Sequence, residues 1–243
     1  MEYSFQVNGF EVQARYDEAA VAAFFRPFLE RLARIHREKG GRTIAFLAAP
    51  PAAGKSTLAA FLEHLSRTEA RLTPIQALGM DGFHHHQDYI LTHTVQRGGR
   101  EVPMKSVKGA PESFDVDKLA QTLERVRGED LRWPFYDRRL HDVVEDALPV
   151  SAGILLVEGN WLLLDEPVWR DFKCDLSMFI GAQEQLLRER LIQRKMRGGS
   201  TRAAAEAFYE TCDGPNIRRC MAGSRRGDVN LAMLANGVYR QAP

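Results

Sequence analysis

The segment from residue 49 to residue 57, which reads APPAAGKST, restricts the fold of this chain more than any other part of it. It matches the pattern G-x-x-x-x-G-K-[S/T] of phosphate-binding loops, except that Ala49 stands at the first glycine. An apolar run, residues 43–47, precedes it, and a helical pattern begins near Lys55. In this context the backbone N–H groups of the loop and the helix N-terminus attract an anion. Alanine is acceptable at this position only where φ is negative, so the sequence predicts a negative φ at Ala49.

The side chains of this loop indicate how a nucleotide triphosphate is held. Lys55 supplies a point charge for the β- and γ-phosphates, and Ser56 supplies a hydroxyl for Mg²⁺. The sequence lacks the N-K-x-D motif of guanine-specific proteins, which favours ATP-dependent machines over GTPases. The predicted ATP-binding residues are Ala49, Pro50, Pro51, Ala52, Ala53, Gly54, Lys55, Ser56 and Thr57.

Apolar runs alternate with helical patterns after residue 42. Further strands are predicted at residues 72–78, 154–157 and 176–180, and a helix at residues 184–196. The runs are continuous rather than alternating, which is typical of strands buried on both faces of a parallel sheet. The sequence therefore predicts an α/β phosphate-loop NTPase fold of three layers, with a parallel central sheet and the site at the carboxyl ends of its strands.

The two ends of the chain carry hairpin patterns. Asn8-Gly9 fits a two-residue type I′ turn. The register that places the apolar residues on one face pairs Val7 with Phe10, Phe5 with Val12 and Tyr3 with Ala14. A helical pattern follows, and Pro27 is expected to kink or split it. We expect a hairpin-and-helix appendage at residues 1–40, a kinase domain at 41–243, and a second small hairpin at 229–239.

Acidic residues end two of the predicted strands. Asp81 follows the strand after the phosphate loop, and Glu158 ends a later one. Asp81 would lie beside the γ-phosphate, where an acceptor hydroxyl must lose its proton. Glu158 could hold Mg²⁺ directly or through water. Acids often end strands merely as helix caps, but two in this order after a phosphate loop favour a catalytic pair.

The order of these motifs resembles that of the uridine kinase, pantothenate kinase and phosphoribulokinase-like P-loop kinases. The likeness extends over about residues 42–225. It rests on the phosphate loop, DGF at 81–83, KGAPESFD at 108–115, PFYD at 134–137 and EGN at 158–160. It is most specific to bacterial pantothenate kinases, and closer still to poorly characterised bacterial relatives, some provisionally called fructose-transport kinases. The resemblance implies that Asp81 is the general base and Glu158 the second acid.

An arginine-rich helix follows the last core strand. Arg190, Arg194 and Arg197 share one face, and the helix leads into Gly198-Gly199-Ser200, a composition typical of a hinge. Similar kinases carry an arginine-bearing lid here, so we expect one at about residues 188–212.

In this lid, Arg190 and Arg194 are the residues expected to neutralise the transferred phosphoryl group. The alternative is a solvated arginine face that pairs with Glu184 and Glu189.

Several residues near Asp81 are candidates for binding the acceptor. His84 lies just beyond Asp81, and Tyr136 and His141 match by position the tyrosine and histidine that line the nucleoside pocket of uridine kinases. Lys108, Arg138 and Arg139 make this region cationic, which favours an acidic or phosphorylated acceptor. The predicted acceptor-binding residues are therefore His84, Lys108, Tyr136, Arg138 and His141.

Three segments are less well defined by the sequence. Uridine kinases have an acid that holds the ribose diol at about the place of Gly109, which weighs against a nucleoside acceptor. Residues 92–107 are glycine-rich and basic and predict a flexible loop, either a second lid or a disordered insertion. Residues 213–216 and 224–225 correspond to segments that contribute to the adenine pocket of similar kinases.

Composition excludes several other classes. The chain has 243 residues with 33 basic and 32 acidic side chains, so it lacks the positive field of a sequence-independent nucleic-acid binder. Its longest apolar stretch, about residues 44–53, is too short to span a bilayer. The N-terminus is unlike a signal peptide, and three scattered cysteines make no disulfide framework. We expect a cytoplasmic protein without nucleic-acid or membrane partners, and its edge hairpins are compatible with a homodimer.

These observations predict an ATP- and Mg²⁺-dependent kinase that phosphorylates a hydroxyl of a small metabolite. The acceptor classes left open are pantothenate-like compounds, sugars and sugar phosphates. Two alternatives stay open: a nucleoside kinase of the uridine/cytidine type, and a non-catalytic nucleotide-binding regulator. A nucleic-acid-dependent ATPase is disfavoured because no basic stripe interleaved with aromatic residues is present.

Overall fold

A computed structural model describes residues 2–7 and 10–242 of the chain. Within these residues a six-stranded sheet carries helices on both faces, and three two-stranded hairpins lie outside it. In chain order the elements are β1 (Glu2–Val7), β2 (Phe10–Arg15), α1 (Glu18–Ala20), α2 (Arg26–Lys39), β3 (Thr43–Ala48), α3 (Lys55–Thr68), β4 (Gln76–Gly79), α4 (Gln87–Thr92), β5 (Thr94–Arg97), β6 (Arg100–Pro103), α5 (Val116–Arg125), β7 (Leu131–Asp137), β8 (Asp142–Val150), β9 (Ile154–Gly159), β10 (Leu176–Ala182), α6 (Glu184–Arg197), α7 (Arg202–Phe208), α8 (Gly214–Gly223), β11 (Val229–Met233) and β12 (Tyr239–Gln241).

The central sheet confirms the predicted parallel arrangement. Its order is β12-β11-β10-β3-β9-β4, and every neighbouring pair is parallel except β11 and β12. β3 lies inside the sheet, between β9 and β10, and each of its six residues is buried. The carboxyl ends of β3, β4 and β9 therefore meet at one edge. The phosphate loop follows β3 there, Asp81 follows β4, and Glu158 lies in the last two residues of β9.

Alternate residues of β3 enter two separate hydrophobic cores. Ala45 and Leu47 pack with the cluster that contains residues of α2, α3 and α6. Ile44, Phe46 and Ala48 pack on the opposite face with residues of α5 and β7. A strand buried on both faces must be apolar at every position, which explains why the sequence shows a continuous run rather than an alternating one.

The structure shortens one predicted strand. β4 begins at Gln76, whereas the apolar pattern predicted a strand from Leu72. Leu72 and Ile75 are buried, but they lie in a turn: the N–H of Ile75 donates to the Ser66 hydroxyl at 3.0 Å, and the N–H of Leu72 donates to the Glu69 carbonyl. Buried residues of a turn are apolar, as those of a buried strand are, so the sequence pattern could not distinguish the two.

The N-terminal hairpin has the predicted register. The pairs are Tyr3 with Ala14, Phe5 with Val12 and Val7 with Phe10. The predicted turn residues, Asn8 and Gly9, lie outside the described part of the chain. The ring of Tyr3 packs 5.1 Å from that of Phe61 in α3, so the hairpin covers one face of that helix.

The helix after the hairpin accommodates Pro27 in an unexpected way. Residues Val21–Phe25 form a π-helical turn between α1 and α2, and the N–H of Arg26 bonds to the carbonyl of Val21. Pro27 then occupies the first turn of α2, where its missing N–H costs little. The wider turn before the proline takes the place of the predicted kink or break.

Two other segments differ in part from what their sequence predicted. Residues 92–107, expected to be a flexible loop, contain the hairpin β5–β6 and a 3₁₀ turn at Met104–Val107. The C-terminal hairpin is present as β11 and β12, but β11 also joins the central sheet alongside β10. Among the described helices, each is too short or too polar to cross a bilayer.

Candidate active site

The phosphate loop connects β3 to α3 with the predicted geometry at its first residue. The φ angle of Ala49 is not positive, as expected for an alanine that stands where other phosphate loops have glycine. Left-handed backbone occurs instead at Ala52, with φ of 63°, and at Gly54, with φ of 82°. A left-handed alanine costs about 1–2 kcal/mol. The strained residue therefore lies in the phosphate loop, three positions before α3 begins.

Ser56 and Glu158 form a close pair of oxygen ligands. The Ser56 hydroxyl donates to Oε1 of Glu158 at 2.6 Å. Glu158 is the last residue but one of β9 and is only 8% exposed. Burial raises its pKa, while the nearby charge of Lys55 and the Ser56 hydrogen bond act in the opposite direction. A hydroxyl and a carboxylate are the hard oxygen donors that Mg²⁺ prefers, so this pair fits the predicted ion.

Asp81 lies in a 3₁₀ turn, Met80–Phe83, that follows β4. It lines a cavity of about 190 Å³ together with Ser56, Glu158 and Tyr136. Arg138 reaches it from β7–β8, with Nη2 3.4 Å from Oδ2 of Asp81. Enclosure by the protein would raise the pKa of Asp81, but His84 and the positive charges of Lys55, Arg138 and Arg194 outweigh it and lower that pKa. The carboxylate is therefore ionised at neutral pH.

The turn that carries Asp81 is held against β7 by a close backbone approach. A Cβ on Gly82 would lie 2.1 Å from the carbonyl oxygen of Pro134, so only glycine fits there. Trp133 donates its indole N–H to the Gly79 carbonyl at 2.9 Å. On the other side, the N–H of Asp115 donates to the Phe83 carbonyl at 2.8 Å. These contacts determine the direction in which Asp81 faces.

Three predicted acceptor residues lie near Asp81. Tyr136 lines the cavity, and the ammonium of Lys108 is 4.9 Å from the centre of its ring. The ring of His84 lies 3.8 Å from that of Phe114 and 5.3 Å from that of Tyr136. Burial, together with the charges of Lys108 and Arg138, lowers the pKa of His84 to about 4, although Asp81 opposes this shift. His84 is therefore neutral at pH 7.

Of the other residues considered for acceptor binding, one lies near the cavity and two lie at the surface. Arg138 contacts the general-base candidate directly, as described above. Arg139 and His141 are exposed in the turn between β7 and β8, and His141 has a φ of 55°. Only the backbone carbonyl of His141 turns inward, where it accepts a hydrogen bond from Lys108 Nζ at 3.3 Å.

The predicted lid has the expected element order. α6 ends at Arg197, Gly199 has a φ of 92°, and the Thr201 hydroxyl caps α7 by accepting from the N–H of Ala204 at 3.2 Å. Gly199 lies between the two helices and has the positive φ that glycine adopts without strain. The movement of this segment as a lid stays a prediction from the sequence.

The arginines of this region have different partners. Arg190 Nη1 donates to the Ala52 carbonyl of the phosphate loop at 3.3 Å and lies 3.1 Å from Met233 Sδ. Arg194 is close enough to Asp81 to lower the pKa of that carboxyl. The acids expected to pair with the arginine face bind elsewhere.

Glu189 pairs with Arg202 at 3.1 Å, and Glu184 pairs with Arg218 at 2.6 Å. Arg188, by contrast, lies among acids, 3.6 Å from Glu210.

The KGAPESFD segment acts mainly as a scaffold. Gly109 is left-handed, with φ of 95°, and its N–H donates to the Ser113 hydroxyl at 2.9 Å. Glu112 pairs with Arg219 of α8 at 2.6 Å, and Asp115 caps α5. Lys108, ahead of the turn, is thereby presented toward Tyr136.

Sequence reasoning assigned no separate role to two asparagines. Asn216 belongs to residues 213–216, which were expected to contribute to the adenine pocket, and its Nδ2 lies 3.7 Å from where a Cβ on Gly109 would be. Asn160 follows Glu158 by two residues, and the Oδ1 atoms of both asparagines are buried without a hydrogen-bond partner among the described residues. The only sequence signal for either residue was its place within a motif, because burial without a partner appears only in three dimensions.

Comparisons with known proteins agree with this architecture. No family model matches the chain. It is 45% identical over 242 residues to the uncharacterised protein YggC of Escherichia coli, with 98% of each chain covered. It is 28% identical to a provisionally described uridine kinase, C227.14, of Schizosaccharomyces pombe over 70% of this chain and 73% of that one. It is 31% identical to pantothenate kinase of Shewanella loihica, over 65% of this chain and 51% of that longer one.

A solved structure extends the likeness to the fold. The crystal structure of a provisionally described fructose transport system kinase from Silicibacter sp. TM1040 superposes with a TM-score of 0.76 and 29% identity, over 86% of this chain and 98% of that one. The near-complete coverage means that the sheet and most of its surrounding elements are shared. The chain thus belongs to the same family as YggC, among the P-loop kinases of the uridine kinase, pantothenate kinase and phosphoribulokinase-like superfamily.

Proposed function

We propose that this protein transfers the γ-phosphoryl group of ATP to a hydroxyl of a small metabolite. The observation that carries the proposal is that Ser56, Asp81 and Glu158 line one cavity at the end of the phosphate loop. A metal-ligand pair and a separate carboxylate in one cavity are the groups that phosphoryl transfer to an alcohol requires.

The proposed reaction assigns one task to each group. The loop N–H groups and Lys55 bind the β- and γ-phosphates. Asp81 accepts the proton of the acceptor hydroxyl while its oxygen forms a bond to the γ-phosphorus and the bond to ADP breaks. Arg194, which lies near Asp81, neutralises charge on the transferred group. Arg190 contacts the loop carbonyl of Ala52 and so positions α6 over the nucleotide.

Mg²⁺ would be held by the Ser56 hydroxyl and the Glu158 carboxylate. When bound, it neutralises phosphate charge and orients the triphosphate. The raised pKa of Glu158 is the result of its burial, and a divalent cation would favour the ionised form that binds it.

For the acceptor we propose a pantothenate-like compound, a sugar or a sugar phosphate. Lys108 and Arg138 place positive charge near Tyr136 and Asp81, which suits an acceptor that carries an acidic or phosphate group. The descriptions of the relatives, as pantothenate kinase and as fructose transport system kinase, support the same range.

A nucleoside kinase is the second candidate. The location of Tyr136 in the cavity and the relative described as a uridine kinase favour it. Gly109 weighs against it, because a carboxylate to hold the ribose diol is missing at that place. A regulator that binds nucleotide without turnover would show ATP binding and no ADP release with any acceptor.

Substitution of Asp81 tests the proposal. The variant Asp81→Asn should bind ATP as wild type does but lose about 10²–10⁴-fold in single-turnover phosphoryl transfer, because the amide cannot accept the proton. Asp117→Asn, an exposed acid in the first turn of α5, is the matched control and should keep the wild-type rate. Wild-type transfer by Asp81→Asn would show that the role is misassigned.

A further inference from the structure

The ammonium of Lys108 is held by two neutral oxygen atoms. Its Nζ donates to the side-chain oxygen Oε1 of Gln87 at 2.7 Å and to the backbone carbonyl of His141 at 3.3 Å. Gln87 belongs to α4 and His141 to the turn between β7 and β8, so the two contacts come from different elements. The same ammonium lies 4.9 Å from the centre of the Tyr136 ring, which lines the cavity with Asp81. The position of Lys108 beside the cavity therefore depends on Gln87.

The charge of Lys108 is not cancelled by an ion pair. In the part of the chain that the structure describes, no carboxylate pairs with its ammonium. Burial lowers the pKa of Lys108, and the charge of Asp142 acts in the opposite direction. Oδ1 of Asp142 accepts from the backbone N–H groups of Gln87 at 3.0 Å and of Val143 at 2.7 Å. Because both partners of the ammonium are neutral, its charge remains available to a ligand.

The start of α4 does not depend on the side chain of Gln87. The backbone N–H of this residue, and not its amide group, donates to Asp142. His86 also connects the helix start to β8, with Nδ1 3.3 Å from Oδ1 of Asp142 and Nε2 3.1 Å from Oε1 of Glu145. Alanine and glutamate are both good helix formers. A substitution of Gln87 should therefore change the surroundings of Lys108 without unfolding α4.

We propose that Gln87 is a positioning residue for acceptor binding: it holds the Lys108 ammonium beside Tyr136 and leaves its charge free for an anionic group of the acceptor. This inference rests on the proposed function and adds the residue that acts through Lys108. Two substitutions separate the two parts of the role. Alanine releases the ammonium, whereas glutamate holds it and cancels its charge.

Acylation of lysines measures whether Gln87 holds Lys108. Wild type, Gln87→Ala and Gln87→Glu are treated with limiting acetic anhydride, and the modified peptides are quantified by mass spectrometry. Lys105, exposed in the neighbouring 3₁₀ turn, is the internal reference. Relative to Lys105, Lys108 should react at least about threefold faster in Gln87→Ala, because it loses a charge-assisted hydrogen bond. In Gln87→Glu it should react no faster than in wild type, since a carboxylate favours the ammonium form. An unchanged ratio in Gln87→Ala would overturn the inference.

Pairs of acceptors that differ in one anionic group measure the effect on specificity. ADP release is measured with a sugar phosphate and its free sugar, with pantothenate and the corresponding alcohol, and with uridine monophosphate and uridine. Wild type should prefer the anionic member of the best pair by at least about tenfold in kcat/KM. Gln87→Ala and Gln87→Glu should each lose most of that preference, while the KM for ATP stays within about twofold. A wild-type preference for the neutral member, or an unchanged preference in Gln87→Glu, would contradict the inference.

Gln121, an exposed glutamine of α5, supplies the matched controls. Gln121→Ala and Gln121→Glu make the same chemical changes elsewhere and should keep the wild-type acylation ratio and acceptor preference. A double variant then shows whether Gln87 acts through Lys108. In a Lys108→Met background, Gln87→Ala should change kcat/KM for the acceptor by less than about twofold. An equal loss in both backgrounds would mean that Gln87 acts only through the fold.

The proposed function and this inference fail in different ways. If none of the compounds yields ADP with wild type, the proposed function fails. The same pairs are then titrated calorimetrically into wild type and Gln87→Glu with ADP and Mg²⁺ present. Binding of an anionic member that Gln87→Glu weakens at least about fivefold supports the role of Gln87. Equal binding by both proteins, or none by wild type, contradicts it.

Discussion

Arg138 illustrates what one side chain can change at this site. Its sequence position suggested contact with the acceptor, and its guanidinium lies 3.4 Å from the carboxylate of Asp81. Together with Lys55 and Arg194 it lowers the pKa of Asp81, although burial acts in the opposite direction. The charged form of Asp81, which is the form that can accept a proton, is therefore favoured at neutral pH.

Removing this charge should shift the pH dependence of the reaction. In Arg138→Gln the pKa of Asp81 rises, so Asp81 becomes protonated at higher pH. The acid limb of the kcat/KM profile should move to higher pH. Arg139→Gln, at the exposed neighbouring residue, should leave the profile in place. Identical profiles for wild type and Arg138→Gln would contradict the contact's role.

At the scale of elements, the turn Met80–Phe83 depends on its packing against β7. Gly82→Ala introduces a Cβ about 2.1 Å from the Pro134 carbonyl, so turn and strand must separate. We expect a loss of about 2–4 kcal/mol in the free energy of unfolding, measured in urea, together with lower activity as Asp81 moves. Gly128→Ala, where a Cβ meets no described atom within 4 Å, should change stability by less than about 1 kcal/mol.

The lid arginines should differ in their effect on the rate. Arg194 lies near Asp81, whereas Arg202 of α7 pairs with Glu189 at 3.1 Å and with Glu206 at 3.1 Å. Arg194→Gln should lower kcat by about 10²–10³-fold in steady-state assays, because charge on the transferred group loses its partner. Arg202→Gln should change kcat by less than about twofold, since exposed ion pairs contribute little. Equal losses in both variants would mean that the lid acts only through its fold.

At the scale of the whole molecule, the N-terminal helix shares a core with the sheet. Phe25, which ends the π-helical turn, is fully buried, and its ring lies 6.0 Å from Phe61 of α3 and 5.2 Å from Tyr239 of β12. Residues from both ends of the chain thus meet in one cluster on one face of the sheet. The division into residues 1–40 and 41–243 stays a prediction from the sequence.

This shared core leads to a prediction about cooperativity. Phe25→Ala should cost about 3–5 kcal/mol and lower the midpoint of a single calorimetric transition, because the cavity opens inside the common core. Phe208→Ala, at a ring that is 37% exposed, should cost less than about 1 kcal/mol. Two separate transitions in wild type would show instead that the N-terminal part unfolds on its own.

Local sequence patterns correctly predicted the features of this protein that depend on residues close together in the chain. The phosphate loop, the continuous apolar strands and the register of the first hairpin follow from residue spacing alone, and the structure agrees with each. The positions of Asp81 and Glu158 at strand ends followed from the parallel sheet, since all its strands end at the same edge. The predicted strand at residues 72–75 was wrong because burial in a turn gives the same apolar pattern.

Contacts between distant segments were decided only by the tertiary structure. Arg138 meets Asp81 across 57 positions, and Asn216 comes to lie beside Gly109, because α8 packs against the turn that precedes α5. The sequence by itself thus determined that the chain has a phosphate loop with two acids at neighbouring strand ends, because these features depend on local backbone geometry and on where each strand ends. The packing of helices and hairpins determined which side chains from distant segments meet around Asp81, since such contacts depend on three-dimensional distance and not on spacing along the chain.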